Sequence, residues 1–465
     1  MPLPSRVGAV VPSLTAALLV VALSACSDDA PSLSAPLPPE PGDAVPAVDP
    51  ELVLLVRELA AKRGIGPLEP PRPVRPALVS LGRALTFDRI LSGNRDIACS
   101  TCHLPSFGTG DGRSLSVGQG ATGFGPNRTH SRSLFIPRNA PPLFNVAAMR
   151  KLFWDGRVEV DAAGRLRTPA GAAITPEMER VFEFGAISAL GMFPVTSAAE
   201  MRGVMGNELS GIPDSQPGRI WAALMQRLGK IPAYRDMFER AYPGTRFDRM
   251  TFAHASNAIA GFVVDQMTFA DSPWDRFLAG NDRALTPSQL DGARAFLELK
   301  CSICHAGPTL SDEDFHNVAV AQIGPGQGHG NFGFDDFGRM SVTGNPADRY
   351  RFRTSPLRNV ELTAPYGHNG AIVSLRDFVA HYSESDVKLR SYDPSQLEPS
   401  LRGTVLPNAA AILATRDTLL DGVVFGDEIL ERLMEYMKAL TDPAARTLAR
   451  VAPARVPSGL PVDRP

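Results

Sequence analysis

The sequence predicts a mostly α-helical protein built from two similar units, with long loops and one small β-hairpin. Three observations carry this reading. The pentapeptide C-x-x-C-H occurs twice, as CSTCH at 99–103 and CSICH at 301–305. Stretches of helical periodicity lead into or follow each copy. The 41 glycines and 42 prolines in 465 residues point to long connections rather than a regular bundle. At ~150 residues per domain the length allows two or three domains, and 44% hydrophobic residues suffice for sizeable cores. A formal net charge of −2 leaves no electrostatic footprint for nucleic acid.

From the N-terminus, Arg6 precedes the apolar run LTAALLVVAL (14–23), which ends at Ser24, Ala25 and Cys26. A basic start, a short apolar middle and small residues form an export signal. The run is too short to span a bilayer, which needs about 20 residues. LSAC resembles a bacterial lipobox, so residues 1–26 read as a lipoprotein signal peptide and Cys26 as the lipidated mature N-terminus. Ser27 next to it resembles the outer-membrane sorting signal. The expected location is the periplasmic side, with the protein anchored by lipid to the outer membrane and by no spanning helix. Residues 27–50, SDDAPSLSAPLPPEPGDAVPAVDP, are acidic and proline-rich and read as a disordered tether. Such a tether reaches roughly 25–30 Å as a coil and up to about 75 Å as polyproline II.

The pentapeptide is the attachment signature of c-type haem. On a helix, positions i, i+3 and i+4 share a face. Two thiols can therefore form thioethers with the haem vinyl groups while the adjacent histidine ligates iron from the same side. A redox dithiol or half a zinc site uses the same cysteine spacing. The first gives no reason for the histidine, and the second no reason to repeat the whole pentapeptide. Two covalent haem c groups thus account for Cys99, Cys102, Cys301 and Cys304, with His103 and His305 as proximal ligands. With Cys26 lipidated, all five cysteines are assigned and no structural disulfide is expected.

The remaining elements follow in order. PALVSLGRALTFDRILSG is amphipathic and leads to the first motif, and the Gly-rich SFGTGDGRSLSVGQGATGFGPN follows it. RVEVDAAGRLRTP alternates around Gly164 and predicts a hairpin. Residues 217–242 and 249–280 have helical periodicity, and SPWDRFLAG (272–280) holds the boundary between units. Thr286 as N-cap and Pro287 open a helix that runs into the second motif. A second Gly-rich loop, GPGQGHGNFGFDDFGR, precedes RFRTSPLRNVELTAPYGHNG, and GDEILERLMEYMKALT (426–441) forms the last helix. The expected organisation is two cytochrome c-like haem domains, 51–272 and 273–445, followed by a tail at 446–465.

Six blocks carry a family resemblance: LGRALTFDRILSGNRDIACSTCH, RNAPPLFNVAAMRKLFWDGR, FPVTSAAEMRG, SPWDRFLAGND, CSICHAGPTLSD and FRTSPLRNVELTAPYGHNG. In this order, over about residues 76–440, the chain resembles the bacterial di-haem cytochrome c peroxidase family, which includes the MauG-like enzymes. The resemblance implies that the N-terminal haem meets hydrogen peroxide and the C-terminal haem relays electrons. It implies a small electron-donor protein, a cytochrome c or a cupredoxin, or for a MauG-like oxidase a protein substrate. A non-catalytic multihaem electron carrier is the reading from another class.

The resemblance also implies residue roles. Glu200 matches the distal glutamate that moves a proton between the peroxide oxygens; otherwise it is an ordinary surface glutamate. Trp154 matches the tryptophan between the haems, where it can also serve simply as a core aromatic. Asn139, Thr363 and Pro365 match an inter-haem Ca2+ site of amide and carbonyl oxygens, although no carboxylate cluster supports it independently. Many members carry a labile histidine in the loop after the first motif. Counting sixteen on from His103 reaches Gln119, a poor iron ligand but a usable hydrogen-bonder; counting back from RNAP brings His130 close. The first iron is expected to be open, with His130 as the candidate cap. Fourteen on from His368, where peroxidases place a methionine ligand and MauG-like members a tyrosine, stands Tyr382. Its neighbour His381 is the competing ligand, and helix geometry separates the two side chains by about 100°. A tyrosinate lowers the iron potential and a methionine raises it.

Overall fold

The computed structural model describes residues 48–129, 135–331 and 333–464. The export signal, Cys26, most of the tether and His130 lie outside the described residues.

Each unit is organised around a helix that precedes its pentapeptide and crosses a second helix at a glycine. In the first, Pro76–Phe87 packs on Phe252–Met267. A Cβ on Gly82 would lie 1.8 Å from the carbonyl oxygen of Ala258, so only glycine permits this approach. In the second, Pro287–Glu298 packs on Asp427–Ala439, and a Cβ on Gly292 would lie 1.9 Å from the Arg432 oxygen. Thr286 caps Pro287–Glu298, its hydroxyl accepting from Gln289 N, as its place before Pro287 predicts. Both pentapeptides fold as single turns, Cys99–Cys102 and Cys301–Cys304, with the histidine at the C-cap.

Two apolar cores follow from these crossings. The first gathers Leu78, Leu81, Leu85, Trp221, Tyr234 and Phe262 with many neighbours. The second gathers Trp274, Phe277, Phe296, Leu433, Tyr436 and Met437. The chain ends cross over. Helix Pro50–Lys62 places Val53, Val56 and Ala60 in the second core. The C-terminal segment places Leu448, Val451 and Val456 in the first. There Ser458 Oγ donates to Asp88 Oδ1 at 2.6 Å, and Asp463 accepts from Thr101 within the first pentapeptide and pairs with Arg89.

The hairpin around Gly164 is present: Val158–Val160 pairs antiparallel with Leu166–Arg167, and Lys151–Leu152 adds a third strand. A further two-stranded ladder, Phe315–His316 with Phe352–Arg353, was not expected from the sequence. The periodic stretch 217–242 divides into Pro217–Gly229 and Pro232–Ala241, because Pro232 has no N–H to continue the first helix. Likewise 249–280 divides into Phe252–Met267 and Pro273–Leu278, the second capped by Ser272. The architecture is mostly helical, with two small sheets among the described residues.

Candidate cofactor and active sites

Cys99, Cys102, Cys301 and Cys304 are all unpaired, so each pentapeptide offers two thiols. His103 Nδ1 lies 2.9 Å from Thr109 O, and His305 Nδ1 lies 3.0 Å from Leu310 O. A carbonyl only accepts, so Nδ1 carries the proton in each ring and Nε2 keeps the lone pair that a metal needs. Burial lowers both imidazole pKa values and holds them neutral. The accepting residues Thr109 and Leu310 both sit at left-handed φ, +63° and +56°. Two thiols and one neutral, oriented imidazole per site are the donor set that a covalent haem requires.

Near the first motif, Glu200 lies close enough to Cys99 and Cys102 to act on both thiols electrostatically. Desolvation raises its carboxyl, opposed by Arg157, a hydrogen bond from Ser197 and the charge of Arg138. The Gly-rich loop abuts the segment carrying Glu200: a Cβ on Gly118 would lie 2.1 Å from Ala199 O. Gln119 is buried, and its amide donates to Met201 O across this contact. Arg128, also buried, fixes the loop by donating to Val117 O, Gly118 O and Gly123 O at 2.8–3.0 Å. Gln119 therefore braces the Glu200 segment.

The second motif opens on a largely apolar cavity, lined by Cys301, Cys304 and His305 and walled by Phe296, Phe352 and Phe378. Tyr382, at the end of helix Leu375–Tyr382, lines it too, and its hydroxyl donates to no described residue. His381 turns elsewhere: its Nε2 lies 2.8 Å from Val318 O, and it is not among the lining residues.

Trp154, Asn139, Thr363 and Pro365 border the same cavity. Trp154 Nε1 donates to Asn139 O at 2.9 Å. Asn139 Nδ2 donates to Arg113 O and Ser114 O at 2.9 and 3.3 Å, which leaves its Oδ1 directed away from them. Asn139 N donates to His368 O at 2.9 Å, tying the RNAP and APYGH segments together.

Two features at this seam escaped the sequence reading. Arg138 is buried between Asp155 and Asp336, at 2.6 Å from each. Burial alone would raise the Asp155 carboxyl, but Arg138 and Arg157 hold it at about 2. His316 bridges Asp417 and Asp312 at 2.7 and 3.2 Å beside Cys304. The charged residues inside the otherwise apolar RNAPPLF and LFWDGR blocks were the available signal for the first. No pattern in the sequence pairs His316 with Asp417.

Fold and motifs together define a c-type cytochrome with two haem-attachment units. Residues 76–283 match the family model of the di-haem cytochrome c peroxidases. The chain is 31% identical over 314 residues to the cytochrome c551 peroxidase of Pseudomonas aeruginosa, covering 66% of this chain and 72% of that one. It is 27% identical over 380 residues to the methylamine utilization protein MauG of Methylorubrum extorquens, covering 82% of each. It is also 30% identical over 315 residues to the cytochrome c peroxidase Ccp of Escherichia coli, of which it spans 54%. The crystal structure of a MauG-like protein associated with microbial copper homeostasis shares the fold, with a TM-score of 0.56 at 24% identity over 82% of this chain and 95% of that one. The chain belongs to the di-haem cytochrome c peroxidase and MauG family. Membership implies two c-type haems, hydrogen peroxide as oxidant and an external electron donor. Among the described residues, no helix is long and apolar enough to cross a membrane.

Proposed function

We propose that this protein reduces hydrogen peroxide to water at the N-terminal haem, with electrons passed through the C-terminal haem from a small cytochrome or cupredoxin. The supporting observation is Glu200, a desolvated carboxyl beside the first pentapeptide, braced by Gln119 through Met201. Each turnover takes two electrons and two protons to turn one peroxide into two waters. The bound haems supply the electron storage. Glu200 takes a proton from one peroxide oxygen and returns it to the departing one, while Gln119 keeps the segment in register. Trp154, which borders the second cavity and donates its indole N–H to Asn139 O, would carry electrons between the two haems. Asn139, Thr363 and Pro365 would hold one Ca2+, whose preference for oxygen donors suits amide and carbonyl groups. Cys26 carries the lipid that anchors the protein on the periplasmic side.

Tyr382 favours a second reading, a MauG-like oxidase that modifies a partner protein. A tyrosine rather than a methionine borders the second cavity, and as the sixth ligand it would stabilise oxidised iron. Steady-state assays of Glu200→Gln holoprotein test the first reading. Peroxide consumption is expected to fall at least about tenfold with both haems attached; an unchanged rate removes the role assigned to Glu200. Poor turnover with reduced cytochrome, combined with a long-lived oxidised state, selects the second reading.

A further inference from the structure

Arg353 is 6% exposed and lines the cavity of the second pentapeptide. The other buried arginines of this region have partners that explain them. Arg138 sits between two aspartates, and Arg358 Nη1 lies 2.6 Å from Asp275 Oδ1. Arg128 forms no ion pair among the described residues but donates from all three guanidinium nitrogens to carbonyls. Arg353 has neither arrangement. Its Nε donates to Phe153 O at 3.2 Å and its Nη1 to Thr354 O at 2.9 Å. Its Nη2 donates to no described residue, and no described carboxylate lies within salt-bridge distance.

A buried guanidinium without an anion is costly, because desolvation is not offset by charge pairing. The burial here is enough to pull the arginine down to about 10, with only Glu313 opposing from a distance. Arg353 lines the cavity, so an anion held there can reach the guanidinium. A planar group with several N–H donors suits a carboxylate. A haem carries two carboxylates on its propionate arms.

We propose that the Arg353 guanidinium is the counter-ion of a propionate on the haem attached at Cys301 and Cys304. The same residue then joins that carboxylate to the bridging segment, because its backbone N–H donates to Trp154 O at 2.9 Å and its Nε holds Phe153 O. Arg353 is a cofactor-binding residue that couples the charge at the second haem to the placement of Trp154. The assignment rests on haem attachment at 301–305 and not on peroxide chemistry, so its test reads spectra rather than turnover.

The test uses full-length holoprotein with Arg353→Met and Arg353→Lys. Resonance Raman spectra report the propionate bending band, and spectroelectrochemistry reports the reduction equilibrium of the second haem. Arg353→Met should shift the band and lower the reduction equilibrium about tenfold or more, as loss of one nearby positive charge favours ferric iron. Arg353→Lys should shift the band but recover most of the equilibrium. An unchanged band and equilibrium in Arg353→Met with both haems present overturns the proposal. If neither variant matures, the wild-type band in D2O decides. A shift on exchanging the donor N–H groups supports the pairing, and no shift overturns it.

Discussion

The two haem units share one half and differ in the other. In both, a helix crosses its partner at a glycine, a single turn presents two thiols, and the histidine donates Nδ1–H to a carbonyl of a left-handed residue. Beyond the histidine the likeness ends. The first unit faces a carboxyl, Glu200, on a segment braced by a polar loop. The second faces aromatic walls and Tyr382. Attachment chemistry is thus repeated, while the surroundings of the two pentapeptides are not.

The strongest way to break the comparison is at the shared helix crossings. Gly82→Val and Gly292→Val should each destabilise the fold by about 1–3 kcal/mol or more, because backbone rather than a flexible side chain blocks the new atoms. Thermal unfolding checks this, and a crossing that tolerates valine is not equivalent to its counterpart.

The seam between the units comes next. Asp155 is held at about 2, below the ordinary carboxylate value, so the unfolded chain binds its proton first as pH falls. Its stabilisation is full above about pH 4 and is lost as pH drops through about 2, amounting to roughly 2 kcal/mol. Asp155→Asn should therefore lose stability near neutral pH and converge with the wild type near pH 2 in chemical denaturation. A difference independent of pH would mean that the Arg138 pairing does not provide it.

The unlike halves are sharpened by a pair of smaller changes. Tyr382→Phe should alter the low-spin EPR signal while leaving haem content unchanged, and His381→Ala should leave that signal alone, since His381 is engaged with Val318 O. The reverse pattern makes His381 the ligand. If Ca2+ fills the site proposed at Asn139, removing it with a chelator should slow electron passage between the haems several-fold. Asn139→Ala should reproduce that loss, and equal rates with and without the metal would exclude a cation at Asn139.

Much of this was legible in the sequence because covalent attachment needs fixed spacing. The pentapeptides, the Thr286–Pro287 helix start and the hairpin at Gly164 depend on local chemistry. Long-range choices were not legible. The apolar stripe of Pro50–Lys62 announces an amphipathic helix but not that its partner is the second core. Nothing local says that Asp463 returns to Thr101. The sequence does not say that the fold buries Arg138 and Arg353. Periodicity ran through Pro232 because the apolar pattern continues on both sides of the break. Tyr382 and His381 are neighbours in sequence, and only the orientation of their helix separates cavity from carbonyl.

EPR of the exported, fully ferric holoprotein, repeated after one-electron reduction, tests the division of labour between the units most directly. The account predicts two haem equivalents, with a high-spin signal from an accessible first iron in at least one of the two states. Two low-spin irons in both states would contradict it.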